Sequence, residues 1–149
     1  MTDDIKKKID VVFIAGGKFH DIDFARLEIL KLLAEDDRMK VRVFEDYSNL
    51  HAIEKADFLI TYTCDVRPTL EQQRVLKDYV SSGNRWLALH GTNSILQFMS
   101  DGKVDSPRIA PVMMETLGSQ FIAHPPIEPY KVNVVQPDHP LVEGVEEFE

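Results

Sequence analysis

Residues Ile9 to Gly17 read Ile-Asp-Val-Val-Phe-Ile-Ala-Gly-Gly. A run of this length, rich in β-branched residues and closed by a glycine pair, has the pattern of a parallel strand buried on both faces. Such a strand needs neighbours in a sheet and helices above and below it, and the following residues supply them. Past the loop Lys18 to Asp21, the segment Phe24 to Glu35 places Phe24, Leu27, Leu30 and Ala34 on one face at helical spacing, with Arg26, Glu28 and Lys31 away from it. That spacing predicts an amphipathic crossover helix. Lys40 to Phe44 alternates and predicts a second strand near a sheet edge, Leu50 to Lys55 a short helix, and Ala56 to Thr63 a third, buried strand. Thr69-Leu70-Glu71-Gln72 is a capping box, so a helix starts there, with Val75, Leu76, Tyr79 and Val80 inward and Gly83 as its left-handed stop. Trp86 to Leu89 predicts a fourth strand. Strand alternating with helix in this way makes an α/β protein: a flavodoxin-like three-layer sandwich around a mostly parallel central sheet.

Beyond Leu89 the pattern weakens. Ser94 to Met99 is expected to be helical, Ser100 to Ser106 a polar insertion, Val112 to Leu117 a short helix ended by Gly118, and Tyr130 to Val135 a further strand. Three prolines between Pro125 and Pro129 favour extended backbone. A chain of 149 residues, 44% hydrophobic, has the size at which one domain fills one core, so residues 1–149 are read as a single domain. Twenty-five acidic residues against seventeen basic ones leave a net charge of -8, and no Lys/Arg cluster is interleaved with aromatic residues. Both features argue against nucleic acid as a partner. The run Lys6-Lys7-Lys8 reads as a solvated entry to the first strand. No apolar stretch approaches the ~20 residues that span a bilayer. The start Met1-Thr2-Asp3-Asp4 lacks the layout of a secretory signal. The single cysteine, Cys64, has no partner for an intramolecular disulfide. The expected location is cytoplasmic, with no membrane association.

In an open parallel sheet, ligands bind beyond the carboxyl ends of the strands. The first strand ends in Gly16-Gly17-Lys18-Phe19-His20, the third in Thr63-Cys64-Asp65 and the fourth in His90-Gly91-Thr92-Asn93. Leu87 to Asn93 reads as strand, sharp turn and then helix, the setting in which a nucleophile elbow lifts one side chain over the sheet. His90 stands at the apex, where an imidazole can act as general acid or base, metal ligand or hydrogen-bond donor; the plainer alternative is that it caps its own strand. Around it, His20, Gly17, Asp65, Gly91, Thr92, Asn93 and His124 are the candidate ligand contacts, with an amide of Gly17 or Lys18 facing the pocket. The glycines match neither Gly-x-x-x-x-Gly-Lys-Ser/Thr nor Gly-x-Gly-x-x-Gly, which disfavours a nucleotide. Were His20, His90 and His124 to converge, they could hold zinc with an open fourth position. No His-x-x-x-His spacing supports this, so a metal-free polar pocket without a cofactor is the favoured reading. Cys64 reads as a small packed hydrophobe rather than a reactive thiol. His139, followed by Pro140, is expected to fix a turn through the backbone, and His51 is given no role.

Gly16-Gly17-x-x-His20, Leu89-His90-Gly91, Leu117-Gly118-x-x-Phe121-x-x-His124-Pro125 and Asp138-His139-Pro140-Leu141, followed by Gly144 and Phe148, form an ordered set. It resembles the pattern of ThuA-like (trehalose-utilisation) proteins, a branch of the class I glutamine amidotransferase-like superfamily. The resemblance runs from about Ile9 to the last residue. It implies a flavodoxin-like domain, a link to bacterial sugar metabolism, and a carbohydrate or oxidised sugar derivative as ligand. It also implies histidine at the elbow in place of the amidotransferase cysteine, so glutamine hydrolysis through a thioester is not expected. On this resemblance Asp65 and Arg67 become candidate contacts to a polyol, and Phe19, Phe121 and Tyr130 candidate apolar faces for sugar rings, against the plainer readings of solvated loop and core. Pairing of superfamily members implies a possible homo-oligomer. Members of the family generally continue into further secondary structure where this sequence stops at Glu149, so it is a short member or a truncated version. Three functions stay open: a carbohydrate-processing or carbohydrate-binding protein with His90 as acid/base, a non-catalytic scaffold of the same fold, and a metal-dependent hydrolase.

Overall fold

A computed structural model of the chain describes residues 7–149. Six strands and four α-helices follow in order among the described residues, β1 (Ile9–Gly17), α1 (Ile22–Leu33), β2 (Met39–Phe44), α2 (Leu50–Lys55), β3 (Phe58–Cys64), α3 (Leu70–Ser81), β4 (Arg85–Ala88), β5 (Gln97–Phe98), β6 (Val104–Asp105) and α4 (Pro111–Leu117), and then one 3-10 turn, Pro140–Val142. Four strands form one sheet in the order β2-β1-β3-β4, every pair parallel. The register pairs Ile14 with Phe44 and Thr61, and Gly17 with Cys64. This is the flavodoxin-like order read from the sequence.

Alternation along β1 divides its side chains between two cores. Val12 and Ile14 pack with Leu59 of β3 against Ala52 and Ile53 of α2, Leu76 and Tyr79 of α3, and Met113 and Met114 of α4. Val11, Phe13 and Ala15 pack with Ile60 against Leu33 of α1, with Ile22, Ile29 and Leu30 partly buried beside them. Helices thus cover both faces, which gives the three layers. α3 begins as expected: Thr69 Oγ1 accepts from the Gln72 amide, and the Gln72 side chain accepts from the Thr69 amide at 2.7 Å. Gly83 follows its last turn with φ 88.

Four local expectations are corrected. The buried stripe of α1 is Ile22, Ile29, Leu30 and Leu33, while Phe24 and Leu27 are exposed. Arg26, expected to point away, is half-buried and donates to the Ala15 carbonyl at 2.9 Å. Ser94 to Met99 is not helical: it leads into the β5–β6 hairpin, whose turn is Ser100-Asp101-Gly102, with Gly102 at φ 82 and Asp101 Oδ1 accepting from the Lys103 amide. The expected polar insertion is therefore the turn and return strand of that hairpin, built on ordinary turn chemistry. Tyr130 to Val135 joins no sheet; Val132 forms one isolated antiparallel bridge with Phe148. Among the described residues no helix is long and apolar enough to cross a membrane.

Candidate functional site

Three of the sheet's carboxyl ends converge because glycines let backbone meet backbone. A Cβ on Gly17 would lie 1.9 Å from the Cys64 carbonyl oxygen, and one on Gly91 would lie 2.6 Å from that of Thr63; both residues have positive φ, 108 and 84. Only glycine fits at either place. The Lys18 amide is bonded to the Cys64 carbonyl at 2.9 Å and so is taken up in holding the loop. After β4 the Thr92 amide returns to the Leu89 carbonyl at 3.1 Å, closing a tight turn with His90 second and Gly91 third. A positive φ at the third position is the type II arrangement. The turn lifts His90 over the sheet as an elbow would, but a helix does not follow it.

His20 and His90 meet. Their ring centroids are 4.8 Å apart, tilted by 50°, and the Tyr62 ring stands nearly perpendicular to His20 at 6.2 Å. His20 Nδ1 lies 3.3 Å from the Lys18 carbonyl. A proton on Nδ1 makes that contact a hydrogen bond and leaves Nε2 as the lone-pair nitrogen. His90 is exposed, and its ring lies against that of His20. The expected third histidine is elsewhere: His124 Nδ1 lies 2.7 Å from the Pro125 carbonyl and its ring contacts Phe121. Among the described residues no group of three or more His, Cys, Asp or Glu side chains is placed to hold a metal ion, so the three-histidine zinc constellation is not assembled.

Asp65 is the hub of the rim. Its side chain is only 4% exposed. One carboxylate oxygen accepts from Lys18 Nζ at 3.0 Å; the other accepts from the Leu96 amide at 3.1 Å and Arg67 Nε at 3.2 Å. Arg67 Nη2 in turn donates to the Leu96 carbonyl at 2.5 Å. Burial, the largest single influence, pushes this carboxyl up, but the Leu96 amide, Lys18 and Arg67 together outweigh it and hold it below the usual carboxylate value. Asp65 has φ 57, one of two positive values outside glycine among the described residues; the other is Phe19 at 67.

Other expected contacts face inward. Thr92 is buried, its hydroxyl 3.0 Å from that of Thr61, and Asn93 donates to Ser119 Oγ at 3.0 Å, tying the turn to the segment after α4. Cys64 is buried under Gly91, and burial, followed by the charge of Asp65, pushes its thiol up, away from the reactive thiolate. His139 Nδ1 accepts from the Leu141 amide at 3.1 Å, which fixes the expected turn. Phe98, which the sequence did not mark, stands over Phe19 with ring centroids 5.3 Å apart. A separate open groove of about 760 Å³ lies at the carboxyl end of β2, between Phe44, Glu45, Asp46, Asn49 and His51. There the Ser48 hydroxyl and amide hold the Asp46 carboxyl below its usual value. Comparison with protein-family models, curated proteins and solved structures finds no match to this chain.

Proposed function

We propose that the protein binds, and in the fuller form of this reading processes, a carbohydrate or oxidised sugar derivative at the His20–His90 rim, as its resemblance to ThuA-like proteins implies. The observation that carries the proposal is the histidine pair itself, two imidazoles 4.8 Å apart at the carboxyl ends of β1 and β4. An exposed imidazole beside a second one offers a general acid or base. His90 is the acid/base. His20, oriented by the Lys18 carbonyl, sets its position, and Asp65 acts through the loops it ties together rather than by direct contact, its carboxylate being already engaged by three donors. The reading calls for no cofactor. In the same reading the protein is cytoplasmic. The test is calorimetric titration of wild type and His90→Ala with trehalose and other disaccharides and their keto derivatives. Binding that the substitution abolishes supports the site; equal binding by both proteins removes it.

A second reading, a partner-binding scaffold that assembles with a second copy, is favoured by the surface. Its support is the apolar surface of the last segment, where Ile127 is 95%, Val135 88% and Leu141 86% exposed. Light scattering that gives the monomer mass at micromolar concentration would dismiss it.

A further inference from the structure

We infer that Lys18 and Arg67 form an anion-holding subsite at this rim, and that the ligand it takes is a sugar derivative oxidised to the carboxylate level. The inference rests on the carbohydrate reading and adds a charged group on the ligand and the two residues that hold it.

Asp65 carries one negative charge and is met by two positive ones. Lys18 Nζ lies 3.0 Å from one of its carboxylate oxygens and Arg67 Nε 3.2 Å from the other. One cation would balance the carboxylate, which the Leu96 amide also serves, so the cluster keeps one surplus positive charge. That surplus faces outward. The Asp65 side chain is buried, whereas those of Lys18 and Arg67 are 65% and 49% exposed. Among the described residues Lys18 Nζ uses one of its three N–H donors, on Asp65, and the Arg67 guanidinium two of its five, on Asp65 and the Leu96 carbonyl. The rest are open to a ligand. Because both nitrogens rest on the same carboxylate they stand within about 8 Å of each other, a span that one oxyanion bridges with a charge-assisted bond on each side. Both side chains are pinned before a ligand arrives, so little rotamer freedom is left to lose on binding.

The subsite belongs to the same rim as the histidines. Lys18 is two residues from His20, whose Nδ1 lies 3.3 Å from the Lys18 carbonyl. The acids that follow in this loop are turned toward the start of α1, where Asp21 accepts from the Phe24 amide and Asp23 pairs with Arg26. The net charge of -8 on the chain opposes an anion. It is spread over the whole surface, however, and is screened beyond about 8 Å at physiological salt, while a bound anion meets Lys18 and Arg67 at hydrogen-bond distance. The local pair decides. A surplus of one charge matches a carboxylate rather than a phosphate group, which is nearly doubly charged at neutral pH.

The experiment is calorimetric titration of the full chain with glucuronate, glucose and glucose 6-phosphate, using wild type, Lys18→Gln, Arg67→Gln, Lys18→Arg and His90→Ala, with the thermal midpoint of each. Glucuronate should bind wild type at least about tenfold more tightly than glucose, and its affinity should fall as salt rises. Lys18→Gln and Arg67→Gln should each weaken glucuronate binding about tenfold and leave glucose binding unchanged. Lys18→Arg, which keeps the charge, should keep the affinity. Equal affinity of wild type for glucose and glucuronate would overturn the subsite, and so would charge-removing variants that melt like wild type and bind glucuronate as well. Sugar binding still lost in His90→Ala would then leave the carbohydrate reading standing. Tighter binding of glucose 6-phosphate than of glucuronate would overturn the carboxylate class. Absence of binding of all three sugars by wild type would overturn both the subsite and the reading beneath it.

Discussion

Asp65 shows how one side chain can set the geometry of a site without facing its ligand. Its carboxylate joins Lys18 from the loop after β1, Arg67 from its own loop and Leu96 from the segment before β5. Replacing it with Asn keeps the shape but removes the charge that makes these bonds strong, and should cost about 2 kcal/mol at neutral pH in urea unfolding. The sign of the pH dependence follows from the direction of the shift. The folded carboxyl is held below its unfolded value of about 3.9, so its contribution is complete above that value and disappears as pH falls through the folded one. The stability gap between wild type and Asp65→Asn should therefore close on acidification, and a gap that stays constant down to pH 2 would contradict the role. The sequence marks Asp65 because it follows a strand, and Asp65 does stand directly after β3. It does not reveal the enclosure, because Lys18 lies 47 residues away and Leu96 lies 31.

At the scale of elements, legibility tracks how sharply the pattern is drawn. The capping box of α3 is local chemistry within four residues and was readable in full; Thr69→Ala should cost about 1 kcal/mol. α1 was found but turned the wrong way. Eight of its twelve residues are apolar, so more than one stripe fits the spacing, and only the sheet decides between them. Leu33→Ala should therefore cost about 2–4 kcal/mol, whereas Phe24→Ala, at an exposed position, should change stability by less than about 0.5 kcal/mol. Comparable losses at both positions would mean that the helix packs by the stripe the spacing alone suggests. The β5–β6 hairpin escaped because its strands are two residues each, too short for any period, although Asp101-Gly102 is a turn signal in plain view. Phe98, whose ring meets that of Phe19, was missed with it.

Across the whole molecule, the order β2-β1-β3-β4 explains why the histidines meet. β3 lies between β1 and β4, and the loops after these outer two close over its end, where Gly17 and Gly91 remove the Cβ atoms that would keep them apart. The parallel sheet, its order and the convergence of its loops follow from alternating apolar runs, and these were legible. The position of His124 was not, since it depends on a segment with few apolar anchors. There Ile127 is 95% and Val135 88% exposed. Hydrogen exchange should accordingly find the amides of residues 125–137 exchanging first and those of β1 last. Protection of 125–137 that rises with protein concentration would signal that a second copy covers it.

The most direct examination of the site is a map of backbone and imidazole chemical shifts on addition of trehalose. Shifts confined to Lys18–His20, Asp65, Leu89–Asn93 and Gln97–Phe98, with the His90 ring among the largest, are the expected result. Shifts that gather instead at Phe44–His51, or none at millimolar sugar, would contradict a carbohydrate site built on the histidine pair.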